Sequence, residues 1–235
     1  VEMTGANAAG TAPPYGCLLR ACNLSETIVA NTSVTYAPHS NQAASEGVSI
    51  YAHTDGMRQK ILGWRGNVAA VFSNEDIPVF RFRGMGFYST PTDTALPSLT
   101  LTPWQAPLPM NRTNTPTISV HSYAAGLWNA MFDLGNQVNF VPFPGTNGSN
   151  QFMIVDRRPV GSVELELPTI AEKDYFSIVA SGATGSTSIV HGTAAGNIVT
   201  ITAAQSRLTN PRYGNQRGVK TLQMDLELAP SNSLN

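Results

Sequence analysis

The sequence predicts an all-β chain built as two packed antiparallel sheets. Apolar residues fall in short runs, many of them alternating with polar ones as a half-buried strand requires. Those runs are separated by Gly, Pro and Asn turns, and no stretch alternates strands with long helical periods. Pro91, Pro97, Pro103, Pro107, Pro109 and Pro116 exclude a long helix through the middle of the chain.

Residues 1–45 are rich in Ala, Asn, Ser, Thr and Pro and show little periodicity. They read as an extended N-terminal arm with one short strand at 33–36. Pro13-Pro14-Tyr15-Gly16 fits neither a helix interior nor a central strand. Residues 46–235 form one domain, with no internal repeat and no linker. Its first strand is 48–51. Thr54 is placed to cap a short helix over 55–62, with Met57 and Ile61 four apart on one face. A strand at 67–72, a turn at 73–76 and an extended run over 78–82 and 86–89 follow. In that run Val79, Arg81 and Arg83 alternate with Phe80 and Phe82, giving one polar and one aromatic face. Proline-rich residues 90–117 read as surface loops joining short strands. Strands are then expected at 118–123, 127–132, 138–143 and 152–155, with a Gly/Asn-rich loop at 144–150. The clearest is 162–167, with Val163, Leu165 and Leu167 on one face and Ser162, Glu164 and Glu166 on the other, ended by Pro168. A strand at 175–180, a hairpin of 188–191 with 198–202 about a turn at 192–197, and a last strand at 221–228 complete the chain.

Only 12% of the 235 residues are charged, against roughly 25% in an average soluble chain. A free monomer usually keeps soluble with a charged surface. A chain lacking one is expected to cover much of its surface with other subunits. With a net charge of −1 and lysines only at 60, 173 and 220, there is no basic tract to drive nucleic-acid binding by counterion release. No apolar stretch approaches the roughly 18 residues that span a bilayer, so no membrane insertion is expected. Cys17 and Cys22 could close a small loop. Two free thiols in a reducing compartment are favoured, since secreted chains of this size usually carry more bridges. The start at Val1 fits a trimmed chain or a mature protein cut from a longer precursor. Sequons at Asn23, Asn31, Asn111 and Asn147 are expected by chance in so Asn- and Ser/Thr-rich a chain.

Few patterns point to chemistry. Glu164 and Glu166 lie two apart on one strand face, as do Asp225 and Glu227. Paired carboxylates are what a glycoside hydrolase needs, but strand alternation alone produces the same spacing. His39, His53, His121 and His191 have no ligand-spaced partner, so no metal site is expected. Gly84-Met85-Gly86 lacks the third glycine and the helix of a dinucleotide loop, and no catalytic serine elbow occurs. No catalytic residue and no cofactor are expected. Arg81 and Arg83 beside Phe80, Phe82, Phe87 and Tyr88, or Arg157-Arg158, could bind single-stranded nucleic acid. An Arg-bearing strand face at a subunit contact is the preferred reading.

Met57-Arg58-Gln59-Lys60-Ile61 followed by Gly63-Trp64-Arg65-Gly66-Asn67-Val68 resembles the short helix and aromatic-Arg-Gly strand of picorna-like virus capsid proteins. Gly161-Ser162-Val163-Glu164-Leu165-Glu166-Leu167-Pro168 is similar to that family's strand ending in proline, although Thr169 and Ile170 stand where an aromatic is usual. The likeness covers about residues 47–176 and is nearest to dicistroviruses and marine algal picorna-like viruses. It implies an eight-stranded jelly-roll capsid domain over 46–235 with the 1–45 arm beneath or between neighbours. It also implies release from a polyprotein and assembly in the host cytoplasm into a pseudo-T=3 icosahedral virion around an RNA genome. Partners would be the other capsid proteins of the shell, with weak RNA contact and an unidentified host receptor. Trp64, Arg65, Arg81, Arg83, Glu164 and Glu166 become candidate subunit-interface residues. The alternative is a secreted β-sandwich that binds or cleaves glycans, predicting an aromatic-lined cleft near Glu164 and Glu166, occupied sequons and a Cys17–Cys22 bridge.

Overall fold

The computed structural model describes residues 1–142, 144 and 150–230. The fold is all-β and every strand pairing is antiparallel. After a short helix α1 (Gly16–Arg20) come β1 (Leu24–Val29), β2 (Ser33–Pro38), β3 (Val48–Thr54), β4 (Met57–Ser73) and β5 (Val79–Asp93). Then follow β6 (Thr117–Val120), β7 (Tyr123–Ala124), β8 (Leu127–Asp133), β9 (Asn136–Pro142), β10 (Asn150–Arg157) and β11 (Val160–Glu166). Helix α2 (Tyr175–Ser181) precedes β12 (Thr184–His191), β13 (Val199–Gln216) and β14 (Val219–Ala229). The Gly/Asn-rich loop expected at 144–150 lies largely outside the described residues, as do Phe143 and Asn147.

One large sheet runs β3-β4-β8-β11-β14-β13-β12-β6-β7, with β5 on the other edge of β4. The β1–β2 and β9–β10 hairpins form separate two-stranded ribbons. Within the large sheet β11, β14, β13 and β12 make a Greek key: three hairpin-linked strands, with β11 lying beside β14. The described residues thus carry fourteen strands where the resemblance implied eight.

Two local expectations are corrected. Residues 55–62 are a turn and a strand, not a helix. Asp55 (φ 41°) and Gly56 (φ 83°) form a two-residue turn of primed type that joins β3 to β4. The Met57–Ile61 spacing misled because four residues return to the same face of a strand as well as of a helix. Residues 175–180, in turn, are helix, not strand. The Asp174 side chain accepts from Ser177 N at 2.9 Å, and Gly182 closes the helix in the left-handed region at φ 64°.

One continuous core joins the inner face of the large sheet to the N-terminal segment. Val68, Ala70 and Phe72 of β4, Phe132 of β8, Val163 and Leu165 of β11, and Leu222, Met224 and Leu226 of β14 are all buried. So are Met3, Tyr15, Leu19, Ala21 and Cys22. Residues 1–45 therefore carry a helix and a hairpin and contribute to the core, in place of a bare extended arm. Asn136 fixes this segment by donating to Cys22 O at 2.7 Å and Gly66 O at 3.1 Å. At its start the chain adds to the outer edge of β5. Val1 N donates to Phe80 O (2.8 Å), Phe80 N to Val1 O (2.7 Å) and Met3 N to Pro78 O (2.8 Å).

Candidate functional site

The six candidate interface residues separate into two groups by what they touch. Trp64 is buried, and the reason lies in two glycines. Gly66 of β4 and Gly84 of β5 are paired across the strands. A Cβ on Gly66 would stand 2.4 Å from the Trp64 ring, and one on Gly84 2.6 Å from it. The indole therefore lies flat on a patch of bare backbone. Arg65 points the other way and is a clamp. Its guanidinium donates to Phe152 O at 2.6 Å, Ser45 O at 3.0 Å and Glu46 O at 3.3 Å, tying β10 and the 45–46 segment to β4. Both residues serve the chain's own interior.

Glu164 also turns inward on its own sheet. It lies on the outer face, yet it is only 7% exposed. Thr221 Oγ1 (2.8 Å), Gln216 Nε2 (3.0 Å) and Asn129 Nδ2 (3.1 Å) donate to its carboxylate, with the Gln223 side chain alongside. Gly214 makes room for this convergence, since a Cβ there would meet Thr221 Oγ1 at 2.5 Å and Glu164 Oε1 at 3.1 Å. Desolvation pushes the carboxyl up, but the surrounding side-chain donors together outweigh it and hold the group below the usual carboxylate range. Glu164 is thus an anchored anion at neutral pH, the opposite of the raised carboxyl that a general acid needs. The small cavity beside it, ≈ 230 Å³, is lined by Asn129, Ser162, Val163, Arg212, Gln223 and Met224, none aromatic. Asp225 is held by Arg212 at 2.7 Å and Asn210 at 2.8 Å.

Arg81, Arg83 and Glu166 form the other group. All three are exposed, and among the described residues none makes an ion pair. Phe80 and Phe82 point into the core on the opposite face of β5, as the alternation predicted. They cannot stack bases beside Arg81 and Arg83. Phe87 is likewise occupied, by Phe152 at 4.7 Å and Phe140 at 6.1 Å between ring centres. Arg157 donates to Asn136 Oδ1 at 3.2 Å and to His39 O.

The remaining singled-out groups are structural. His191 is buried between Thr115 Oγ1 (2.9 Å) and Leu108 O (3.2 Å), pinning the long 94–116 loop to β12. His121 is buried against Ser206 O at 2.9 Å. No group of three or more His, Cys, Asp or Glu side chains among the described residues is placed to hold a metal. Cys17 is an exposed free thiol and Cys22 a buried one. Asn23, the first sequon, is 1% exposed.

What sequence reasoning missed are exposed apolar side chains on both faces of the β3–β4–β5 extension. Where β3, β4 and β5 run beyond the core, Tyr51, Met57, Ile61, Leu62, Met85 and Tyr88 are exposed, Tyr88 to 78%. The 94–104 stretch adds Leu96, Leu99, Leu101 and Trp104. The available signal was the Asp55-Gly56 hairpin turn between two short apolar/polar stretches, obscured by the helical reading of 55–62. No helix among the described residues is long and apolar enough to cross a membrane. Compared with known protein families and with curated proteins, the chain matches none.

Proposed function

We propose that this chain is a structural subunit of a larger protein shell, and that the shell is a non-enveloped icosahedral viral capsid of pseudo-T=3 type. The observation that carries the assembly reading is surface area. A compact monomer of 25.0 kDa exposes about 10,000 Å². This chain exposes 13232 Å². The surplus, about 3,000 Å², is the size of an obligate interface. Exposed apolar side chains stand on the extended β3–β4–β5 sheet and the 94–104 loop, where a soluble monomer would carry charge. The shortage of charged residues has the same explanation.

The viral form of the proposal rests on the resemblance at Trp64-Arg65-Gly66 and at 161–168. An eight-stranded jelly roll is its finer statement of the fold. A jelly roll contains two Greek keys, and β11–β14 supply one. The other hairpins would be additions to that frame. In this reading Arg81, Arg83 and Glu166 meet other shell subunits, whereas Trp64, Arg65 and Glu164 hold the subunit in shape. A glycan-cleaving reading has less support, because Glu164 is saturated by neutral donors and no aromatic lines the cavity beside it.

The test is to purify the chain from its natural source, or co-expressed with its partner chains, and to examine it by size-exclusion chromatography and negative-stain electron microscopy. Closed particles containing further chains are expected. A stable monomer from the natural source, soluble at high concentration, would overturn the proposal.

A further inference from the structure

We infer that one face of the β3–β4–β5 extension is a docking surface for an extended acidic segment of a partner subunit, with two Asp or Glu residues placed two apart. Strand register assembles this face. Tyr51 lies opposite Lys60 and His53 opposite Arg58 across β3 and β4, and Thr92 lies opposite Arg58 across β4 and β5. Paired residues of an antiparallel sheet share a face. Arg58, Lys60, His53, Tyr51 and Thr92 thus meet on one side. Leu62, Phe87 and Met85 continue that face toward Arg65, on the side away from Trp64.

The basic groups on this face have no acid. All 15 Asp and Glu residues of the chain lie within the described residues, and none pairs with Arg58 or Lys60. Asp93 stands opposite Met57 on the other face, and Asp55 belongs to the turn. The Arg58 guanidinium makes one long hydrogen bond, to Thr92 Oγ1 at 3.4 Å, and lies over the Tyr51 ring at 5.8 Å. Arg58 Nε and His53 Nδ1 are shielded from water and have no partner among the described residues. Buried polar atoms in native folds are nearly always satisfied, so the cluster is incomplete within the chain.

Spacing and surroundings select the occupant. Arg58 and Lys60 stand about 7 Å apart along the strand. A Glu-x-Glu stretch of an extended segment has the same spacing, with one carboxylate meeting Arg58 and His53 and the next Lys60. The residue two further on reaches Leu62 and Met85, both partly exposed, where an apolar side chain fits. Single-stranded nucleic acid fits less well. Two fixed cations neutralise few phosphates. Tyr51 is already faced by Arg58, and Phe87 is packed against Phe140 and Phe152, so neither ring is free to stack a base. This deepens the assembly reading, on which it rests for the source of the segment.

The experiment uses residues 1–235 and a fluorescent peptide, Leu-Thr-Glu-Thr-Glu-Thr-Leu, followed by anisotropy at low ionic strength. Both ends of the peptide are apolar, so either direction along β4 satisfies the pattern. Saturable binding that weakens with salt is expected, with a roughly tenfold loss when both Glu are replaced by Gln. Carbodiimide coupling joins a carboxylate to an amine in contact with it, and is expected to attach the peptide to Lys60 and not to Lys173 or Lys220. Arg58→Glu/Lys60→Glu is expected to lose roughly tenfold in affinity for the Glu peptide and to gain affinity for a Lys counterpart. Arg112→Glu/Lys220→Glu, the same charge change at exposed positions elsewhere, is expected to keep the wild-type affinity. Melting temperatures confirm folding, and the Gln peptide and the coupling site need no variant. Equal binding of the Glu and Gln peptides, coupling at the other lysines, or equal losses in the two variants would each overturn the inference. So would tighter binding of a short oligouridylate through Arg58 and Lys60, which would make the face a nucleic-acid site. A dimer of the free chain that Arg58→Glu/Lys60→Glu dissolves would make the occupant a second copy and also overturn it. Particles that assemble equally well from Arg58→Glu/Lys60→Glu chains overturn this inference and leave the shell reading standing. Peptide binding by a chain that never assembles does the reverse.

Discussion

Glu164→Gln separates an anchored structural carboxylate from a catalytic one. The wild-type carboxylate accepts from Thr221 and Gln216 on Oε1 and from Asn129 on Oε2. A glutamine keeps the Oε1 acceptor but turns the other end into a donor, facing the Asn129 amide. One charge-assisted bond is lost and the others weaken to neutral ones, while the cost of desolvating a charge disappears. Bonds to charged groups contribute about 1.5–3 kcal/mol and neutral ones about 1 kcal/mol, so the net loss comes to roughly 1–2 kcal/mol. For a chain of this size that lowers Tm by roughly 2–4 °C per kcal/mol. Glu164→Leu leaves all the donors without an acceptor and is expected to cost more, about 3 kcal/mol or beyond.

The pH dependence has a definite sign. The folded carboxyl is held below the ordinary glutamate value of 4.5. Its stabilisation is therefore fully present above that value and is lost as pH falls through the folded pKa. Urea unfolding at pH 7 and at pH 4 measures both effects. Wild type is expected to weaken on acidification more than Glu164→Gln does. Equal stability at pH 7, or an unchanged acid slope in the variant, would refute the account of Glu164 as an anchor.

Three further outcomes are expected. Gly84→Ala sets a Cβ 2.3 Å from Arg65 O and 2.6 Å from the Trp64 ring, so it should cost about 1–3 kcal/mol in denaturant unfolding; a neutral result would show that the indole does not rest there. Arg65→Ala removes the clamp on Ser45, Glu46 and Phe152 and should speed hydrogen exchange in 45–46 and β9–β10 while the centre of the large sheet stays protected; uniform exchange changes would contradict a local role. Thiol titration at pH 8 should find one reactive group, Cys17, and a second only in denaturant, because burial pushes Cys22 up to about 12; two prompt thiols, or none, would contradict the packing around α1.

Strand locations were largely legible wherever one face meets the core and the other does not. The 162–167 alternation, the hairpin about 192–197 and the final strand all stand where the pattern put them. Legibility failed where a short signal was outweighed by a longer one. Asp55-Gly56 is a strong hairpin turn, yet Met57 and Ile61 fit a helix equally well. At 175–181 the cap residues Asp174 and Gly182 carried the helix, while the apolar run between them read as strand.

The sequence by itself determined the class of the chain, its low charge and the two-faced character of β5, because each depends on composition or on the period of neighbouring residues. Tertiary structure decided which polar residues are interior. Alternation places Glu164 on the outer face, but Gln216, Thr221 and Gln223 reach it only through the β13–β14 register and the missing side chain of Gly214. Trp64 is likewise buried by a glycine twenty positions away, brought opposite Gly66 by the β4–β5 pairing. Register and edges belong to pairs of strands, and a single strand's pattern carries no record of its partner.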